Sequence, residues 1–136
     1  HGQRAALFSP MPGEQHSFGT LMIAECFQRA GWDTDVLIEP TPSELTKKFA
    51  NRHYDLIGLT VSCDCSIGPL SSLISTIRAV SSNPQVRVLI AGRVINEQPD
   101  LVDRCGADAT AVDAPSAVAL ADSLVPVNVD CFEHLS

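Results

Sequence analysis

The sequence predicts a doubly wound α/β domain on a five-stranded parallel sheet, and three observations carry that reading. Short apolar runs alternate with segments of helical period. The runs are apolar at consecutive positions, as strands covered on both faces are. Proline, glycine and capping residues stand at the joins. At 136 residues, with 45% apolar and 18% charged composition, the chain is expected to form one core-bearing domain over residues 1–126, followed by a tail over 127–136.

The strands are expected at Ala5–Phe8, Asp35–Ile38, Leu56–Thr60, Val86–Ala91 and Ala109–Val112. A first helix follows Pro12–Ser17, with Gly19, Ile23, Phe27 and Ala30 on one side, Cys26 on or beside it as a core thiol, and Gly31 as a left-handed cap. Thr41-Pro42-Ser43-Glu44 reads as a capping box that starts a second helix running to about Asn51. Leu70, Leu73, Ile74, Ile77 and Val80 form the stripe of a third helix, entered through Gly68-Pro69 and stopped by Asn83-Pro84. A fourth helix ends at Cys105, a packing thiol, before a Gly106 cap. Ala117, Leu120, Ala121 and Leu124 make the fifth, ended by Pro126.

Right-handed crossovers favour the flavodoxin-like strand order 2-1-3-4-5. In that order the chain leaves strands 1 and 3 in opposite directions, and the crevice above their C-terminal ends is the expected ligand site. The loops SPMPGEQHS and VSCDCSIGP border it, with GRVINEQ beside them. His53 precedes strand 3 and belongs to the opposite end, as a surface residue.

Charge and composition exclude several functions. A net charge of −7 argues against direct contact with nucleic acid, so any effect on genes would pass through another protein. No apolar run approaches the ~18 residues of a membrane span and no signal peptide is evident, so a cytoplasmic location is expected. The chain begins His1-Gly2 and enters its first apolar run within a few residues, which reads as a domain taken from a longer protein. Five cysteines, an odd number, suggest thiols, redox groups or ligands rather than a disulfide framework.

His16 has two readings: a residue that opens the first helix, or a neutral imidazole serving as an axial metal ligand, with Glu14 as the acceptor for its other ring nitrogen. Glu14-Gln15-His16-Ser17-Phe18-Gly19 resembles the D-x-H-x-x-G signature of cobalamin-binding domains. The resemblance extends through Thr60-Val61-Ser62, at the place of the family's S-x-L, and Gly92-Arg93, at the place of its G-G, to Gly106–Val118, which resembles its last strand and helix. It implies His16 as the metal ligand, a carboxylate behind it, Gly19 allowing close approach, and a tunnel for the cofactor's nucleotide tail.

The chain departs from that pattern at Arg93, Ser62 and Glu14. Arg93 would fill the tunnel mouth or pair with a nearby acid. These departures point to a flat tetrapyrrole rather than a corrinoid with its tail buried. The combination resembles the haem-binding SCHIC branch of the family, the sensor domains of AppA-type antirepressors in phototrophic bacteria. That resemblance implies haem held by His16, no enzymatic activity, and a PpsR-type repressor of photosystem genes as partner, in a protein that also carries a blue-light flavin domain and a cysteine-rich tail.

Cys63-Asp64-Cys65 is too short for an ordinary disulfide within the pair and offers two of the four ligands of a structural zinc site. It reads either as small loop residues, or as a thiolate facing His16: a second haem ligand, a redox-sensing thiol or a metal ligand. A Cys/His nucleophile pair lacks an oxyanion loop and an orienting third residue. Cys131 and His134 supply two ligand-type residues in the tail, too few for a site.

Other functions of this topology fit less well. A phosphoacceptor receiver needs acids after strand 1, an Asp ending strand 3 and a Lys after strand 5, where this chain has Phe8-Ser9-Pro10, Cys63 and Asp113. A flavodoxin needs aromatics to clamp the flavin, and neither Trp32 nor Tyr54 is placed for that. A tetrapyrrole sensor module, a corrinoid carrier domain of a methyltransferase or mutase, and a cofactor-free protein scaffold are the readings carried forward.

Overall fold

The structure is a computed structural model that describes residues 3–15 and 17–126. His16, Cys131, His134 and the 127–136 tail lie outside the described residues. The elements run β1 (Ala5–Pro10), α1 (Phe18–Arg29), β2 (Asp33–Val36), α2 (Pro42–Ala50), β3 (Leu56–Thr60), α3 (Ile67–Val80), β4 (Arg87–Ala91), α4 (Arg93–Glu97), α5 (Leu101–Cys105), β5 (Ala109–Ala111) and α6 (Ala114–Leu124), with one 3-10 turn at Asp64–Ser66. The five strands are parallel in the order β2-β1-β3-β4-β5, as the alternation predicts. Register brings Pro10, Thr60, Ala91 and Ala111 into one row at the C-terminal edge. That row is the floor of the crevice.

Local signals account for most boundaries. Thr41 Oγ1 accepts from the Glu44 N–H at 3.1 Å while Glu44 Oε1 accepts from the Thr41 N–H at 2.9 Å, closing the capping box. Gly31 and Gly106 take φ +96° and +89° at the ends of α1 and α5. Helix α3 begins at Ile67 and runs through Gly68-Pro69, because a first-turn proline has no helical N–H to lose.

Two expectations are corrected. The second strand starts at Asp33, two residues earlier than its apolar run. It is an edge strand, and Asp33 and Asp35 satisfy their charge on Arg52, so it needs no continuous apolar sequence. The single fourth helix is two short ones. Pro99 biases Gln98 away from helical backbone, and Gln98 sits at φ −135°, ψ 69° between them.

The two faces of the sheet differ in the size of what covers them. On one, Leu7, Ile57, Leu59, Val88 and Ile90 pack under α2, α3 and α5 with Leu45, Phe49, Leu70 and Ile74. On the other, Ala6, Phe8, Leu89, Ala91 and Ala111 meet α1 and α6 through Ala24, Phe27, Ala114, Ala117 and Ala121. Small residues hold α6 close to the sheet and leave space toward the crevice. Phe8 and Phe27 fill the lower part, with ring centroids 4.6 Å apart.

Candidate functional site

The loop after β1 continues the sheet for one residue, the Met11 N–H donating to Thr60 O at 3.0 Å, and then turns at Gly13, φ +90°. The Glu14 N–H donates back to Met11 O at 3.1 Å. This turn sends the Glu14 side chain inward, where the residue is 6% exposed. Its Oε1 accepts from the Ser62 N–H at 3.0 Å; its Oε2 accepts from the Cys63 N–H at 3.2 Å and the Ser66 hydroxyl at 2.6 Å. A buried carboxylate needs such donors, and the adjoining N-terminus of α3 supplies a favourable field. Glu14 therefore clamps the β3–α3 loop to the β1 loop. That role was not expected, since the sequence reading assigned Glu14 to His16.

Between α1 and the strand row lies an apolar-lined cleft of 340 Å³, bordered by Gly19, Met22, Thr60, Ala91, Gly92 and Ala111 among others. Half of its lining residues are glycine, alanine, serine or threonine. A Cβ added at Gly19 would meet nothing within 4 Å, so a side chain has room at this border of the cleft. Gly92, at φ +120°, is required: a Cβ there would sit 2.4 Å from Val61 O. Thr60 is buried, with its hydroxyl 2.7 Å from that of Thr20 on α1. Beneath, Phe8, Ile23 and Gly58 close the floor and leave no room for a water molecule.

Arg93 stands at the rim. Its Nη2 donates to Ser62 O at 2.8 Å and its Nη1 reaches Glu97 at 3.2 Å, so the guanidinium pairs with an acid and lies over the β3–α3 loop. Of the two expected outcomes, pairing holds, and the cleft stays open beside it.

Cys63 and Cys65 are joined by a disulfide, which corrects the expectation that the pair is too close in sequence to bond. The 3-10 turn at Asp64–Ser66 sets their Cα atoms 5.2 Å apart, inside the usual disulfide range. In this state neither sulfur is a thiolate available to a metal. Among the described residues no group of three or more His, Cys, Asp and Glu side chains could hold a metal ion.

The other candidates fall largely as expected. His53 is exposed at the far end of the sheet, Cys105 is buried in the core, and Cys26 is half-buried against the α1/α6 face. Sequence reading missed the apolar rim: Phe18, Met22 and Val112, which border the cleft, are 74%, 49% and 69% exposed. The signal was present as apolar residues at Phe18, Leu21 and Met22, off the buried stripe of α1. It also missed Asp113, which borders the cleft and caps α6. Hydrogen bonds from the Ser116 side chain and N–H hold its carboxyl below the usual range.

No protein-family model matches the chain. An uncharacterized 20.5 kDa protein in the bchF-crtJ intergenic region of Rhodobacter capsulatus is 28% identical over 108 residues, covering 79% of this chain and 55% of the relative. A novel cobalamin-binding protein from Desulfitobacterium hafniense DCB-2 superposes with TM-score 0.81 and 18% identity, over 90% of this chain and 60% of that one. The monomethylamine corrinoid protein of Methanosarcina barkeri gives 0.79 and 17%, over 89% and 57%. The chemotaxis protein CheY4 of Vibrio cholerae gives 0.68 and 14%, over 90% and 99%. The chain thus has a flavodoxin-like fold of the kind found in cobalamin-binding proteins, and spans little more than half the length of the relative and of both corrinoid-type structures. No helix among the described residues is long and apolar enough to cross a membrane.

Proposed function

We propose that this domain binds a cobalt corrinoid at the C-terminal edge of the sheet, where His16 would hold the metal and the cleft between α1 and the strand row would take the cofactor's tail. The observation that supports this most is the cleft itself. At 340 Å³ it is near the lower limit of small-molecule sites, suited to an appendage rather than a whole macrocycle. A corrinoid has such an appendage and haem does not. Gly19, Thr60, Ala91 and Gly92 would border the tail, and Phe18, Met22 and Val112 would meet the apolar edges of the ring. The bound metal would supply an exchangeable coordination site, and with it sensitivity to light or redox state.

Haem is the second reading. Arg93 favours it, because a guanidinium at the rim suits the carboxylates of a haem edge. On either reading we take the domain as a non-enzymatic sensory module that contacts a PpsR-type repressor and relieves it, in the manner of the AppA-type antirepressors it resembles. The relative's place between bchF and crtJ supports a setting among photosynthesis genes.

Optical titration of the protein with hydroxocobalamin and, separately, with hemin tests this. The expected result is a shifted corrinoid spectrum that weakens in His16→Ala. A shifted Soret band with hemin and no corrinoid response would replace the corrinoid by haem. Silence with both, together with an intact repressor pull-down by His16→Ala, would leave a cofactor-free scaffold.

A further inference from the structure

The Cys63–Cys65 pair sits where two loops meet. Cys65 is exposed and Cys63 half-buried, on the turn that leads directly into α3. The Cys65 N–H donates to Cys63 Sγ at 3.2 Å. The same loop is held from below by Glu14, through the N–H groups of Ser62 and Cys63, and from above by Arg93, through Ser62 O. Any change at the two sulfurs is therefore felt by the carboxylate that clamps the β1 loop, and by the residue that rims the cleft.

We infer that Cys63–Cys65 is a reversible thiol–disulfide site, opened by a thiol reductant at Cys65 and reported to the crevice through Glu14. The chemistry follows from exposure and hydrogen bonding. A reductant thiolate attacks Cys65 Sγ, the sulfur open to solvent, forming a mixed disulfide and expelling Cys63 as the leaving thiolate. The Cys65 N–H already points at Cys63 Sγ and stabilises the charge that develops there, as does the N-terminal end of the helical segment that follows. A second reductant thiol then displaces Cys65. In sum, the protein disulfide breaks and one forms between the two reductant thiols; two electrons and two protons pass to Cys63 and Cys65. The site works whether or not a tetrapyrrole binds above it.

Two measurements test this on the full chain. The protein is treated with oxidised glutathione, or with dithiothreitol, then alkylated under denaturing conditions and mapped by mass spectrometry. The oxidised sample should show the peptide holding both residues without alkyl groups and about 2 Da below the dithiol mass, and the reduced sample should show two alkyl groups. When the oxidised protein is treated briefly with reduced glutathione and quenched with acid, the mixed disulfide should be found at Cys65 about tenfold more often than at Cys63. Two free thiols after oxidation, pairing with Cys26, Cys105 or Cys131, or a mixed disulfide shared equally between the two sulfurs would overturn the site. Amide exchange at Ser62 and Cys63 should rise about threefold or more on reduction in the wild type. A pair that cycles while that exchange stays constant would overturn the report through Glu14.

Discussion

Glu14 accepts a hydrogen bond from the Ser66 hydroxyl at 2.6 Å, joining loops 52 residues apart in sequence. Because Ser62 and Cys63 donate to the same carboxylate, removing it leaves several donors without an acceptor at once. Glu14→Ala is expected to cost about 2–3 kcal/mol, and Glu14→Gln less, since an amide oxygen keeps part of the acceptor set. Urea denaturation of the two variants measures this. Equal, near-zero losses would mean that the loops are held elsewhere.

The acid and alkaline arms of stability should trace to one cluster. Burial works against ionisation of Asp35, but hydrogen bonds from Tyr54 and Arg52 outweigh it and hold the carboxyl below its usual range. The stability this gives is present above the unfolded carboxyl pKa of about 3.9 and is lost as pH falls through the folded value. For Tyr54, burial and then the hydrogen bond to Asp35 push the phenol above its usual range. Its contribution is present below about pH 10 and is lost as pH rises through the folded value. Tyr54 is the sole tyrosine, so tyrosinate absorbance reads it directly. The onset should lie above pH 10 and move down in Asp35→Asn, and the stability gap between wild type and that variant should shrink in acid.

Gly92→Ala should destabilise by about 2–4 kcal/mol, because the new Cβ would press on the Val61 backbone at a φ of +120°. Gly68→Ala, whose Cβ meets open space, serves as the control and should leave the thermal midpoint within a few degrees of wild type.

At Gly19 a side chain has room, and the room is the cleft. Gly19→Ala should fold at least as well as wild type, gaining up to about 0.5 kcal/mol of helix propensity. Gly19→Phe should keep the fold while weakening hydroxocobalamin binding about tenfold or more, the ring taking the space meant for the tail. Unchanged affinity in a folded Gly19→Phe would place the corrinoid elsewhere.

Much of this architecture is legible in the sequence because its signals are local. Thr41 and Glu44 announce a helix start by their own spacing, and Leu56–Thr60 is a run that can only be buried on both faces. What the sequence hides depends on distant partners. The Asp33 edge strand is stabilised by Arg52, 19 residues on, which no window around Asp33 includes. Glu14 reads as a neighbour of His16, yet its donors lie 48 to 52 residues away. The Cys63–Cys65 bond depends on a 3-10 turn that residue spacing alone does not disclose.

The unequal faces of the sheet carry one more consequence. The α2/α3 face of the sheet is covered by leucines, isoleucines and valines with Phe49, and its own groove of 440 Å³ lies among α2, α3 and the loops, away from the strands, whereas the α1/α6 side, to which α6 brings alanines, leaves its cleft against the strand row itself. Whatever enters the cleft adds to the front core the dispersion contacts its alanines omit, and so behaves as a removable piece of the hydrophobic interior. Occupancy and rigidity of the front layer are then coupled, and the melting temperature becomes a gauge of ligand concentration.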